Sequence, residues 1–530
     1  MSTGRGRKEL LDWVISGVIV LPFLWLYAAH FLSSKGGGTG FLDYDMAYYS
    51  AIGRSIFTRG NGILYPNPYD CYGPVIYFQW FPWLLGVGTV LFHLDPGYLF
   101  AALGIIAAIV LARVTLALVR TRVPVEHSWT VVALAMWGGG LLVAGGFTRA
   151  IIHHQVVSVG AISQFDLHNG LWFLNWGRNS VYTTEAVYHI LVAGLWLGVL
   201  RKQWVLAATM LALIASTHPW TGAEMIAIVV VYLGWIYLRY RLRSKPAHEA
   251  LPPLWFPIAA VATGVLFGWY YGIFLPGFPS HEAIVREWTL PLVLDKKGFL
   301  LSIALVGMLA LFRAIRGPRF SSQDSFLCIC FGISSLLSLH DLWMQPIQPV
   351  HFDRGYPWMA LFLFGIPALP FSPGKSVTTV RRWLLRLAVA VAIVLALSDN
   401  AAFLYWRTNS EFSKGNDLTL SAPERNLFSW LDSAGVRGGF LARNRILSYL
   451  SGTYTDLTPY LGHAYLTPNI YQRMDTVRKI YSGAPDIPRE VRFVLRTDAD
   501  DSLRLPKDNW TSVYNREGMD LFERNPFLQQ

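Results

Sequence analysis

The chain has 530 residues, of which 53% are hydrophobic and only 15% charged, with a mean hydropathy of +0.37. Soluble domains usually carry about 25% charged residues, so the composition excludes an ordinary soluble protein and predicts one embedded in a bilayer. The formal net charge is +11. Its lysines and arginines cluster in short loops between apolar runs, a pattern that orients membrane proteins, so we expect no nucleic-acid partner.

The three cysteines are Cys71, alone in a polar loop, and Cys328 and Cys330 inside an apolar run. They have neither the number nor the spacing of a disulfide framework or a structural zinc site. Redox chemistry is therefore not predicted.

Apolar stretches long enough, or nearly long enough, to cross a bilayer recur through the first 400 residues. A transmembrane helix needs about 20 residues. The first stretch, from Leu11 to about Phe31, follows a basic segment and is too long for a signal peptide, so we expect a retained span and a cytoplasmic amino terminus. The other stretches lie near 77–93, 97–119, 129–147, 186–200, 203–217, 222–238, 254–275, 298–314, 325–338, 356–371 and 383–397.

The charges of the loops predict the orientation of the chain. The basic loops, expected on the cytoplasmic side, are 201–202, 239–245, 313–319 and 375–386. The loops expected on the outer side are 148–185, 217–221, 276–297 and 339–356. Everything after Ser398 is expected on the same outer side. Membrane crossings counted forward from the amino terminus and backward from the later basic loops differ by one. Either 77–93 is re-entrant, which gives eleven spans, or a weak span lies within 148–185, which gives thirteen.

The fold class predicted is thus a polytopic α-helical membrane protein of about 11–13 spans with a small extracytoplasmic α+β domain. Residues 1–400 would form the transmembrane module, with a first outer loop at 32–76 and a second at 148–185. Residues 401–530 are more polar and would form the soluble domain. There Ser421 to Glu424 reads as a capping box, Gly435 as a helix stop, and Arg492–Arg496 and Met519–Phe522 as strands.

The first outer loop begins with two carboxylates, Asp43 and Asp45, just past the first span. Tyr44 to Phe57 would form an amphipathic helix along the interface. A carboxylate at the edge of an apolar cavity can act as a general base because partial desolvation raises its pKa. The alternative is that one of the two simply caps this helix. As an Asp-x-Asp pair they could also bind a divalent metal, although we favour chemistry that requires no cofactor.

The second outer loop holds more polar residues than a connection requires. Asp166 and His168 could assist the base, and Asn175 and Arg178 could hold sugar hydroxyls. Glu185 opens the next span, where it could act in catalysis or only stabilise the helix dipole.

Two later outer segments carry further candidates. In a tight turn, Trp220 suits stacking on a sugar face, and His218 could contact a phosphate or be a structural histidine. Before a later span stand His351 and Arg354. A guanidinium at this depth can bind two phosphate oxygens at once. The alternative is an arginine that snorkels to lipid headgroups or pairs within the protein, for example with Asp353 or Asp341.

An acid soon after the first span, a tyrosine-rich helix and a loop ending Tyr-Pro…Tyr-Gly-Pro resemble the GT-C superfamily of polytopic glycosyltransferases. The resemblance implies that an Asp of this loop is the catalytic base, best matched by Asp45. It also implies that cationic side chains of later outer loops hold the donor phosphate, which favours Arg354 and His351. In the tail, Gly462-His463-Ala-Tyr-Leu-Thr467-Pro468 followed by Arg473 is similar to an element found after the spans of many GT-C-like bacterial proteins.

The function that follows is a membrane glycosyltransferase of cell-envelope glycan biosynthesis, placed in the plasma or inner membrane. It would move a sugar, with inversion, from a polyprenyl-phosphate donor to a glycan, lipid or protein acceptor outside the cytoplasm. Candidates for contacting the sugar or acceptor are Tyr49, Trp220, Asn175, Arg178 and His463. The alternatives are a transporter or flippase of lipid-linked sugars, for which mid-membrane polar residues and internal repeats would be typical, and a polymerase or ligase.

Overall fold

The computed structural model describes residues 3–166, 170–242, 251–287, 292–316, 320–369, 379–414, 417–500 and 502–525. The chain divides into two compact units, each assembled from three chain segments. The helical unit is Met1–Leu26, Gly104–Trp269 and Leu290–Ser410, and the sheet unit is Tyr27–Leu103, Tyr270–Thr289 and Glu411–Gln530.

Helices make up nearly all of the helical unit. Three of its helices, α1, α4 and α18, also contribute residues to the sheet unit. The helices are α1 (Thr3–Ser33), α4 (Pro96–Val119), α5 (Ser128–Trp137), α6 (Leu142–Ile152), α7 (Val159–Ile162), α8 (Trp176–Asn179), α9 (Thr183–Leu200), α10 (Trp204–Ala215), α11 (Pro219–Leu242), α12 (Trp255–Trp269), α14 (Lys296–Arg316), α15 (Ser322–Ser338), α16 (Val350–Asp353), α17 (Tyr356–Gly365) and α18 (Thr379–Lys414).

Seven helices among the described residues are long and apolar enough to cross a membrane, or eight if the bent pair Val125–Trp137 and Leu142–Ile152 forms one span. The prediction of a multi-pass α-helical membrane protein is confirmed, but its count of eleven or thirteen differs from this number. Several predicted spans form helices of fewer than 18 residues. These are Trp80–Leu91, α10, α15 and α17.

Helix α9 is almost wholly buried and packs closely against α10. Two glycines four residues apart make this approach possible. A Cβ on Gly198 would lie 2.8 Å from the backbone nitrogen of Ala207, and one on Gly194 would lie 3.0 Å from the Met210 side chain. Small residues at such spacing let membrane helices approach one another closely, so α9 forms the centre of the unit.

The sheet unit contains the first outer loop and the carboxyl-terminal part of the chain. Its five-stranded sheet has the order β2-β1-β3-β5-β4, in which β1 pairs parallel with β2 and β3 and the β3–β5 and β4–β5 pairs are antiparallel. Its elements are α2 (Tyr44–Thr58), α3 (Trp80–Gly86), α13 (Pro279–Glu287), α19 (Ala422–Ser433), β1 (Gly438–Leu441), α20 (Arg445–Tyr454), β2 (Leu457–Pro459), α21 (Ile470–Tyr481), β3 (Val491–Thr497), β4 (Trp510–Arg516) and β5 (Met519–Arg524).

The local predictions for this region hold. The capping box forms, because the Ser421 side chain accepts from the Glu424 backbone N–H while Glu424 accepts from the Ser421 N–H. Gly435 follows the end of α19 with a φ of +60°, a left-handed conformation that favours glycine. Both predicted strands exist, as β3 and β5, so the α+β class of the domain is confirmed.

Candidate active site

In the sheet unit, Asp45 lies in the first turn of α2, and Asp43 is the residue before the helix. Asp43 has extended backbone angles (φ −142°, ψ 154°) but makes no side-chain capping hydrogen bond. The Asp45 side chain is 66% exposed. The capping role considered for this pair is therefore not realised by Asp43, and the Asp45 carboxylate remains reachable from outside the protein.

Asp45 is held by a histidine far along the chain. The Nε2 atom of His463 lies 2.8 Å from Asp45 Oδ1. The backbone N–H of Tyr465 donates to His463 Nδ1 over 3.3 Å, so the ring proton is assigned to Nε2, which donates to the carboxylate. This arrangement fixes both the tautomer of the ring and the orientation of the carboxylate.

The Gly462-His463-x-x-x-Thr467-Pro468 element folds into a tight turn that positions the histidine. Thr467 Oγ1 donates to the His463 carbonyl (2.8 Å) and accepts from the Gly462 N–H (3.2 Å). Only glycine fits at 462, because a Cβ there would lie 2.0 Å from Cδ1 of Tyr69. Arg473 donates to the carbonyl of Tyr69 over 3.0 Å and so joins the first outer loop to the tail.

A set of tyrosines that the sequence analysis did not single out surrounds the imidazole. Tyr44 and Tyr48 lie with ring centroids 4.9 and 5.4 Å from His463. Tyr449 donates to the Tyr44 carbonyl over 2.6 Å, and the Tyr44 hydroxyl donates to the Gly462 carbonyl over 3.2 Å. The tyrosine-rich sequence of α2 was the available signal, but its partners lie some 400 residues away. Tyr49, predicted to contact sugar, is half-buried against Tyr48.

In the helical unit, Arg354 is almost fully buried. Its Nη1 forms an ion pair with Glu185 at the start of α9. Its guanidinium also lies 5.2 Å from the ring centroid of Phe173 and 5.9 Å from that of Tyr188. The partner is therefore Glu185 rather than Asp353 or Asp341, because Asp341 pairs with Lys296.

Two histidines complete the surroundings of this guanidinium. Arg354 Nη2 donates to His351 Nδ1 over 2.9 Å and lies 3.2 Å from His218 Nε2. Burial, followed by the nearby charges of Arg354 and His351, lowers the pKa of His218 well below its usual range. His218 is therefore neutral, and its Nδ1 accepts from the backbone N–H of Thr221 over 3.3 Å. The predicted trio Arg354, His351 and His218 thus forms one cluster.

The backbone at this cluster is unusual. Arg354 and Gly355 have φ angles of +31° and +72°. His189 on α9, which the sequence analysis missed, has its Nε2 2.7 Å from the Arg354 carbonyl oxygen. Such conformations persist only when the surroundings enforce them and are enriched at functional sites.

Other residues predicted for the site are bonded to neighbouring groups of the protein. Asp166 and Arg178 are buried and form a two-bond ion pair of 2.6 and 2.8 Å. Asn175 is also buried and caps α8 by accepting from the Arg178 N–H. These groups are engaged with one another in the interior, so we do not assign them to a sugar site. Trp220 stacks on His351 with centroids 6.1 Å apart, and His168 lies outside the described residues.

Within the described ranges, no group of three or more His, Cys, Asp or Glu side chains has the geometry of a metal site. The Asp43 and Asp45 pair thus has no third such ligand in that part of the chain.

No family model and no curated protein matches this chain. Solved structures do. The Archaeoglobus fulgidus oligosaccharyltransferase tethered to an acceptor peptide matches with a TM-score of 0.47 at 12% identity over 92% of this chain and 69% of the other. The same enzyme in complex with Zn and sulfate matches with a TM-score of 0.44 at 12% identity, over 92% and 68%.

A third matching structure is the archaeal oligosaccharyltransferase AglB of Archaeoglobus fulgidus with an inhibitory peptide and a dolichol-phosphate. It matches with a TM-score of 0.41 at 12% identity over 94% of this chain and 70% of the other. At 12% identity these matches do not define the chemistry of this chain's site, which follows from its own residues.

Proposed function

We propose that this protein is a membrane glycosyltransferase that moves a sugar from a polyprenyl-phosphate donor to an acceptor, with Asp45 as the general base. The observation that carries the proposal is the Asp45–His463 hydrogen bond of 2.8 Å, in which an exposed carboxylate is oriented by a buried imidazole. An orienting group behind the base is the arrangement that proton abstraction from a hydroxyl or amide requires.

In the proposed reaction the acceptor oxygen or nitrogen attacks the anomeric carbon from the face opposite the phosphate. Asp45 takes the acceptor proton as the new glycosidic bond forms. The bond between the anomeric carbon and the phosphate oxygen breaks, and its electron pair leaves with polyprenyl phosphate. One displacement inverts the anomeric centre, and no covalent intermediate or nucleotide sugar is needed.

The leaving phosphate gains negative charge as this bond breaks, and a fixed positive group stabilises that charge. We assign this charge to Arg354, with His351 and the neutral His218 beside it as further contacts to the phosphate. In the structure Glu185 already balances the Arg354 charge, which is how a buried guanidinium is kept stable without a ligand. When the donor binds, its phosphate shares Arg354 with Glu185 or displaces the Glu185 carboxylate from it. Trp220, which stacks on His351, supplies an aromatic wall.

The test uses purified full-length protein with a panel of synthetic polyprenyl-phosphate sugars, following release of polyprenyl phosphate. Asp45→Asn should lower turnover by on the order of a hundredfold or more, the usual contribution of a general base. Asp475→Asn, an exposed aspartate of α21, is the matched control and should leave turnover unchanged. Turnover that survives Asp45→Asn excludes this residue as the base, and a retained anomeric configuration excludes a single displacement.

A second variant addresses the phosphate site. Arg354→Lys keeps the charge but loses the planar, two-pronged donor, so KM for the donor should rise about tenfold or more while the fold is kept. Arg443→Lys, at an exposed arginine, is its control. An unchanged KM in Arg354→Lys would remove Arg354 from the donor site.

A further inference from the structure

The sheet unit contains a cavity of about 570 Å³ that lies apart from the Asp45–His463 pair. Its lining combines the end of the first outer loop with the starts of β1, β2 and β3 and the end of β5. Five arginines line it, together with the thiol of Cys71 and the carboxylates of Asp456 and Glu490. The arginines are Arg59, Arg437, Arg489, Arg492 and Arg524.

Positive charge exceeds negative charge in this lining. Asp456 already pairs with Arg54 at 2.7 Å and lies 3.7 Å from Arg437. Arg492 pairs with Glu523 at 2.6 Å, whereas Arg489, whose side chain is exposed, forms no ion pair with the described residues. The cavity therefore has at least one guanidinium group, that of Arg489, whose charge no carboxylate of the described residues balances in an ion pair.

Two of these arginines are held in place before any ligand arrives. Arg492 donates to the Arg437 carbonyl over 3.0 Å and to Glu523 over 2.6 Å. Arg524 lies over the Trp510 ring at 4.9 Å and donates to the Ile487 carbonyl over 2.9 Å. A guanidinium has five N–H donors, so these contacts leave others for a ligand. Pre-positioned arginines are well suited to carboxylate and phosphate groups.

The backbone of β1 approaches the start of β3 closely where the two strands line the cavity. A Cβ on Gly439 would lie 2.0 Å from the Glu490 carbonyl oxygen, and Gly438 has a φ of +129°. Side chains are thereby excluded from this part of β1. Burial lowers the pKa of Arg59, which also lines the cavity, so a bound anion would stabilise its charge.

We propose that this cavity binds an anionic group, phosphate or carboxylate, of a glycan acceptor. This inference rests on the proposed transferase function and adds the acceptor class to it. Asp45 and Arg59 lie at opposite ends of α2, 14 residues apart, which at 1.5 Å per residue is roughly 20 Å. The acceptor is therefore an oligosaccharide whose anionic group lies several sugar units from the attacking hydroxyl.

Binding is measured by calorimetry on the full-length protein with three probes: inorganic pyrophosphate, an oligogalacturonate and a neutral maltohexaose. The wild type should bind at least one anionic probe saturably, with an affinity that falls as salt rises, and should not bind maltohexaose. The two anionic probes separate phosphate from carboxylate recognition.

The test variant is the double change Arg437→Gln with Arg489→Gln, which should weaken binding at least tenfold. The control is Arg478→Gln with Lys479→Gln, which removes the same charge from exposed positions on α21 and should leave binding unchanged. Arg489→Lys, which restores a charge at 489 in the presence of Arg437→Gln, should recover part of the affinity and shows that the loss is not misfolding.

Equal affinity in the test and control variants, or no saturable anion binding by the wild type, overturns the inference. Asp45→Asn distinguishes this failure from failure of the transferase proposal, because it should lower transfer by about a hundredfold or more while leaving anion binding intact. If every sugar donor is inert but the arginine-dependent binding persists, the cavity is an anion site and the transferase proposal is wrong.

Discussion

At the residue scale, the orientation of Asp45 depends on one imidazole. His463 is 3% exposed, whereas the Asp45 side chain is 66% exposed. The buried partner is thus the fixed element, and the exposed carboxylate is the group that it directs. A hydrogen bond to a charged group contributes roughly 1.5–3 kcal/mol, enough to select one carboxylate rotamer.

We predict that His463→Ala lowers kcat of sugar transfer by about tenfold or more, because Asp45 loses its orienting donor. His463→Gln, whose amide can still donate, should retain more activity than His463→Ala. Single-turnover kinetics on matched protein preparations measures both. Equal rates for the two variants would show that donation to Asp45 has no part in the reaction.

A second residue-scale prediction concerns Asp353, where burial raises the pKa to about 7. The folded state then binds a proton more tightly than the unfolded state between about pH 4 and pH 7. Stability from this group is greatest below pH 4 and declines as pH rises to 7. At pH 8 the free energy of unfolding of Asp353→Asn should therefore exceed that of the wild type by up to about 4 kcal/mol, so the variant should melt at a higher temperature. This difference should disappear towards pH 4.

The measurement is the melting midpoint in one detergent across this pH range. The exposed Asp475→Asn change serves as the reference, because its carboxylate is solvated. A pH-independent difference between Asp353→Asn and wild type would contradict the assignment of a raised pKa.

At the element scale, the contact between α9 and α10 depends on glycine. Gly198→Ala would place a methyl group 2.8 Å from the Ala207 nitrogen, whereas Gly234 on α11 has nothing within 4 Å of its Cβ position. We predict that Gly198→Ala lowers the melting midpoint, with a cost of about 1–3 kcal/mol for overpacking. Gly234→Ala should be neutral or slightly stabilising, because alanine favours helix. Similar midpoints for the two variants would refute this account of the packing.

In the sheet unit, the tail element Gly462 to Pro468 also depends on close contact with another segment. Its internal hydrogen bonds shape a turn, and the turn contacts the first outer loop. Asn67 of the first outer loop donates to the Leu466 carbonyl over 2.8 Å, and Tyr44 donates to Gly462. The resemblance that drew attention to this element did not indicate its partner, which is the loop that carries Asp45.

At the scale of the whole molecule, the loop charges predict that the carboxyl-terminal region faces away from the cytoplasm. Alkaline phosphatase fused after the last residue should therefore be active, and a fluorescent protein at the same position should be dark. Fusions in the basic loop 239–245 should give the opposite result. Fluorescence of the carboxyl-terminal fusion would show that the orientation is the reverse of the predicted one and would exclude an extracytoplasmic acceptor.

Much of the architecture follows from local patterns in the sequence. Apolar runs predicted the membrane helices, since the bilayer imposes a length and a hydropathy on each span. The capping box at Ser421, the helix that begins at Tyr44 and the strand around Arg492 also formed as predicted. These features depend on neighbouring residues, so the sequence alone determined them. Among the described residues, seven or eight helices meet the usual length and hydropathy criterion for a span, because several of the predicted apolar stretches form shorter helices.

The pairing of the charged side chains was decided only by the tertiary structure. Asp45 meets His463 across 418 residues of sequence, and Arg354 pairs with Glu185 rather than with its neighbour Asp353. Asp166 and Arg178, both predicted for the site, neutralise each other in the interior. A buried charge takes whichever partner the fold brings within reach. That partner is set by helix packing and loop docking, which no local pattern encodes.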